Sequence, residues 1–66
     1  MGIIFNGKGI DVPLGISLRD FLRIRGIKLN AAIAELNRKV LKTEELISVV
    51  LKENDVLEVL SFMGGG

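Results

Sequence analysis

The sequence predicts an α+β fold, a small mixed sheet with one helix packed across one of its faces. Three stretches lead to that expectation. Asn6-Gly7 stands between the short apolar runs "IIF" and "IDV" and marks a hairpin, because both residues tolerate positive φ. "SLRDFLRIRG" carries apolar residues at helical spacing, and "VLEVLSF" alternates as a strand with one buried face.

The elements follow in order. In the first hairpin, strand alternation turns Ile3 and Phe5 toward the core and leaves Ile4 on the opposite face. "VPLG" ends the strand pattern, since Pro13 has no amide donor and Gly15 permits a sharp bend. Ser17 is placed to cap the helix, with Asp20 three residues on in a weaker form of the capping box. Leu18, Phe21 and Leu22 form one apolar stripe, and Gly26 supplies a left-handed stop after about two and a half turns. "AAIAELN-RK-VL" reads as a second hairpin turning at Asn37-Arg38. Ala32, Ala34 and Leu36 face inward there, and Ile33 and Glu35 outward. Thr43 offers a cap for a single helical turn in "TEEL", and Asn54-Asp55 form the turn before the last strand. In that strand Leu57 and Val59 point to the core, while Glu58, Leu60 and Phe62 point away.

Hairpin, helix, hairpin, short turn and final strand is the order of the α+β roll called the β-grasp. The expected organisation is a β-grasp domain over residues 1–63 and a flexible C-terminal glycine tail over 64–66. The helix covers one sheet face. Ile4, Ile33, Glu58, Leu60 and Phe62 then share the uncovered face, and an exposed apolar patch of that kind marks an interaction surface.

Composition narrows the function. A chain of 66 residues buries only ~60% of its unfolded surface. With no cysteine it has no disulfide to add, and with no histidine it lacks the usual zinc ligand sets. No metal site is expected. The usual nucleophile–base pairs are also missing, and Glu44 and Glu45, adjacent in sequence, diverge on a helix. The chain is therefore expected not to be an enzyme. A net charge of +1 and three Phe as the only aromatics speak against nucleic acid, and Arg19, Arg23, Arg25 and Lys28 read as a solvated helix face. No apolar run approaches the ~20 residues of a membrane span. "MGIIFNGKG" lacks signal-peptide features, and Asn6 stands where a myristoylation pattern needs Ser or Thr. A cytoplasmic protein is expected.

Gly64, Gly65 and Gly66 add nothing to a core, because glycine loses the most backbone freedom on folding. They read as a frayed end, as a linker, or as the working part of the molecule. Without side chains, an extended glycine tail can thread a narrow channel and bring its carboxylate beside a nucleotide. Attack on ATP would make an acyl-adenylate, which sulfur can displace.

The early "FNG", the strand ending in Asn before "KVL", the segment "ENDVLEVL" and the final "FMGGG" together resemble the ThiS-type sulfur carriers of thiamin biosynthesis. Two positions depart from that pattern: Val40-Leu41-Lys42 where relatives often carry Val-Pro-Arg, and Asn54 where they carry Gly. The resemblance implies that an E1-like adenylyltransferase (ThiF-like) adenylates the Gly66 carboxylate, with Gly64 and Gly65 in the partner's channel. It implies that a persulfide sulfur donor protein then converts the terminus to a thiocarboxylate, and that a thiazole synthase (ThiG-like) draws the sulfur. The carrier itself binds no cofactor; ATP belongs to the activating partner. The alternatives are a MoaD-like carrier for molybdopterin, a ubiquitin-like protein modifier, and a β-grasp module that binds through its sheet face alone.

Overall fold

The computed structural model describes residues 1–62. Strands β1 (Gly2–Phe5) and β2 (Lys8–Asp11) pair antiparallel, with Phe5 opposite Lys8. Between them Asn6 has φ 49° and Gly7 φ 82°. Two consecutive left-handed residues make a type I′ turn, whose twist matches that of the strands it joins.

Helix α1 (Leu18–Ile24) begins where Ser17 Oγ accepts the Asp20 N–H at 3.0 Å. Asp20 does not complete the expected reciprocal cap. Its Oδ1 instead accepts from Arg23 Nη2 at 3.0 Å, because a guanidinium one turn along competes with the backbone N–H. The helix runs about two turns. It stops at Gly26, φ 75°, where the Gly26 N–H bonds the Arg23 carbonyl and the Ile27 N–H bonds the Leu22 carbonyl. Those two bonds are a Schellman cap, which needs a left-handed residue at that point. Arg25 is exposed, as expected, and also packs on aromatic rings. Its guanidinium carbon lies 5.1 Å from the Phe5 ring centre and 5.3 Å from that of Phe21, over an edge-to-face aromatic pair.

A 3-10 turn at Leu29–Ala31, absent from the sequence reading, leads into strand β3 (Ala32–Leu36). Asn37 (φ 51°) and Arg38 (φ 72°) turn the chain into strand β4 (Lys39–Val40). Ala34 is fully buried, Ala32 and Leu36 half-buried, and Ile33 exposed, so the strand has the expected phase.

The expected single turn after Thr43 is a second helix, α2 (Thr43–Ser48), and its cap is Lys42. Glu45 makes this possible: its Oε1 accepts the Lys42 N–H at 2.8 Å, and its Oε2 accepts from Lys39 Nζ at 3.1 Å. Both bonds favour the carboxylate and hold its pKa below the ordinary value. A lowered folded pKa means that this contribution is present above the ordinary carboxylate range and lost as pH falls through the folded value. The Lys42 amide should exchange faster with solvent on acidification, relative to other α2 amides. Glu45→Gln should remove that pH dependence, as hydrogen exchange followed by NMR would show.

Strand β5 (Val56–Ser61) occupies the middle of a five-stranded sheet ordered β2-β1-β5-β3-β4. It runs parallel to β1 and antiparallel to β3, so the sheet is mixed. This is the ubiquitin-like β-grasp arrangement. Leu18, Phe21 and Leu22 of α1 and Leu46 of α2 lie buried together with Ile3, Ala34 and Leu57 of the sheet. Leu51 joins them from the segment after α2, where its N–H bonds the Ile16 carbonyl while the Leu18 N–H bonds the Val49 carbonyl.

Candidate functional site

Strand alternation and register assemble the candidate site on the sheet face away from α1. Along β5, Val56, Glu58 and Leu60 are exposed while Leu57 is fully buried and Val59 half-buried. Cross-strand pairing places Ile33 opposite Leu60 and Glu35 opposite Glu58 on the β3 side, and Ile4 opposite Val56 on the β1 side. Ile4 is 39% exposed, Ile33 47%, Leu60 62% and Phe62 58%. Ile33 and Leu60 are thus direct neighbours, and Glu58 lies beside them. Ile4 is on the far side of β5 from Ile33. Phe62 follows the end of β5, its N–H on the Ala31 carbonyl at 2.7 Å.

Two further apolar members went unread in the sequence. Val56 has the parity of Glu58 and Leu60, and Val40 faces Glu35 through the Asn37-Arg38 turn. Val56 could have been found from alternation alone. Val40 needed the hairpin register as well.

A shallow depression of about 300 Å³ crosses β5, β3 and β4, lined by Asn6, Ile33, Glu35, Val40, Glu58 and Leu60. Glu35 and Glu58 stand directly opposite one another, an arrangement that costs stability when both are charged. Neither has a Lys or Arg nitrogen within 4.0 Å among the described residues; the ion pairs there are Arg23–Asp20 and Lys39–Glu45. An apolar surface with two uncompensated carboxylates suits recognition of another protein. Among the described residues no group of three or more Asp or Glu is placed to hold a metal ion.

Both turn asparagines also secure β5. The Asn37 N–H bonds the Val56 carbonyl at 2.8 Å, and Asn37 Oδ1 accepts the Val56 N–H at 2.9 Å. Asn37 Nδ2 donates to Oδ1 of buried Asp55 at 3.0 Å, and Asp55 Oδ2 accepts the Lys52 N–H at 2.7 Å. Asn54, at φ 68°, takes the left-handed position of the turn before β5. Asparagine adopts that conformation more readily than most other side chains. Asn6 grips the strand further along, Oδ1 accepting the Val59 N–H at 2.8 Å and Nδ2 donating to the Val59 carbonyl at 3.3 Å. Gly64, Gly65 and Gly66, expected to be the reactive tail, lie outside the described residues.

No family model matches the chain, and no curated protein matches it. Solved structures do. The crystal structure of a thiamine biosynthesis protein (ThiS) from Geobacter metallireducens superposes with a TM-score of 0.82 at 30% identity, over 100% of both chains. The solution structure of a thiamine biosynthesis protein from Geobacter metallireducens gives a TM-score of 0.79 at 30% identity, over 100% of this chain and 88% of that one.

Proposed function

The chain belongs to the ThiS family of thiamine biosynthesis proteins, and from that premise we propose that it is a sulfur carrier whose reacting group is the Gly66 carboxylate. Full-length similarity at 30% identity supports the reading, and the three glycines at positions 64–66 suit the chemistry.

A carboxylate oxygen of Gly66 attacks the α-phosphorus of ATP held by an E1-like adenylyltransferase (ThiF-like), and pyrophosphate leaves. The persulfide sulfur of a donor protein then attacks the acyl carbon and expels AMP. A thiol cleaves the resulting acyl disulfide, supplying the two electrons, and leaves a thiocarboxylate on the terminus. A thiazole synthase (ThiG-like) consumes that sulfur and returns the carboxylate. ATP and the metal that accompanies it belong to the activating enzyme. This chain contributes a docking surface, a strand that aims the terminus, and a tail without side chains. Mass spectrometry of the protein from its native cells tests the reading. Sulfur in place of one terminal oxygen supports it. Conjugates to lysine would make the chain a modifier, and an invariably free carboxylate would make it a binding module.

Ile4, Ile33, Glu58, Leu60 and Phe62 are proposed as the surface on which the activating enzyme docks. Leu60→Glu should raise KM for the carrier about tenfold or more, by setting a third carboxylate beside Glu35 and Glu58 in an otherwise apolar contact. Its melting temperature should barely move, because Leu60 is largely solvated in the free protein. Unchanged KM in a pyrophosphate-exchange titration would remove Leu60 from the interface.

A further inference from the structure

Strand β1 ends at Phe5, but its parallel neighbour β5 continues to Ser61. The Asn6 N–H reaches the Leu57 carbonyl at 2.9 Å, and there the backbone pairing between the two strands stops, since Asn6 turns into the hairpin at φ 49°. Its side chain does not turn away with it. By accepting the Val59 N–H and donating to the Val59 carbonyl, one carboxamide supplies the acceptor and the donor that a further rung of the ladder would have supplied. Beyond Val59 no group on the β1 side bonds β5 among the described residues. The strand is held there from the β3 side alone, with Ile33 opposite Leu60, Ala32 opposite Ser61, and the Phe62 N–H on the Ala31 carbonyl.

We propose that Asn6 is a positioning residue for the reactive tail: its carboxamide sets the direction in which β5 presents Phe62, and so the line on which the tail enters the activating enzyme. The proposal rests on the carrier reading above. Gly66 is four residues beyond Phe62, and four extended residues span at most about 14 Å. Over that length, a turn of about 10° at Phe62 shifts the end by about 2 Å. A misplacement of ~1 Å at a reacting atom can cost about a hundredfold in rate. The turn by itself does not call for asparagine, because glycine takes positive φ more readily. The carboxamide distinguishes the two roles.

Asn6→Gly therefore keeps the hairpin and removes only the grip on β5. In the free protein, the Val59 amide should exchange with solvent at least tenfold faster, with Leu60 and Phe62 following, while the Leu22 amide in α1 is unchanged. With a ThiF-like enzyme and ATP, kcat for pyrophosphate exchange should fall about tenfold or more and KM should stay within about twofold. Asn6→Asp, which keeps the acceptor for the Val59 N–H, should restore part of both losses. Unchanged exchange at Val59 overturns the proposal. So does faster exchange with an unchanged kcat, or a rise in KM alone, which would make Asn6 a docking contact. A wild-type protein inert with every such enzyme would overturn the carrier reading, and the proposal with it. In that case, fast Val59 exchange in Asn6→Gly would still show the grip on β5 as a feature of the fold.

Discussion

Adding a single residue after Gly66, or deleting Gly66, is expected to abolish ATP–pyrophosphate exchange with the activating enzyme while the fold stays intact. The two changes fail for different reasons. Extension replaces the terminal carboxylate by a peptide bond and moves the new carboxylate ~3.5 Å along the chain, past the position in which it meets the α-phosphorus. Deletion leaves a carboxylate on Gly65 that falls short by the same distance. Either displacement is several times the ~1 Å that can cost about a hundredfold. Neither touches the sheet, because β5 ends at Ser61 and the buried core lies within residues 3–57. Circular dichroism and thermal melting should match wild type. Undiminished exchange by the extended protein would refute the terminal carboxylate as the reacting group.

Leu57→Ala is expected to remove most of the protein's stability. Leu57 is fully buried in the central strand, between Phe5 of β1 and Leu36 of β3 in register. A leucine truncated at such a site costs about 2–5 kcal/mol, part of it from the cavity left behind. A domain of this size has only about 3–5 kcal/mol to lose. Leu60→Ala, three residues on and pointing outward, is the control, with an expected change within about 0.5 kcal/mol. Urea denaturation of both variants decides the matter. A large loss at Leu60 with little at Leu57 would mean that the phase of β5 is wrong by one residue, which would exchange its two faces.

The local devices of this fold were legible in the sequence because each acts over a few residues. Asn6-Gly7 sets two positive φ values, Ser17 caps the helix three residues on, and Gly26 ends it, its N–H on the Arg23 carbonyl and that of Ile27 on the Leu22 carbonyl. The phase of β5 was also readable, since alternation requires no knowledge of the neighbouring strands. Alternation therefore marked Ile33, Glu58 and Leu60 as outward-facing before any strand order was known. The sequence shows the short helix α2 only as a single turn with the wrong cap, because Leu46 is its single buried residue, too little for a helical stripe, and its cap is formed by Glu45 rather than by the Thr43 hydroxyl.

Strand order and everything that depends on it were decided in three dimensions. The last strand in sequence is the middle strand in space. That placement sets Glu35 against Glu58, separates Ile4 from Ile33, and brings Asn6 to Val59 across 53 residues of chain. In the sequence Asn6 and Asn37 are two turn residues and Arg25 a solvated cation; in the fold the asparagines hold β5 at Val59 and Val56, and Arg25, still exposed, lies over an aromatic pair. The reason is physical. Backbone propensity and capping are settled by neighbours within one turn or one hairpin, whereas the partner of a strand is chosen by burial of side chains from distant segments, and that choice becomes visible only when the sheet has closed on its core.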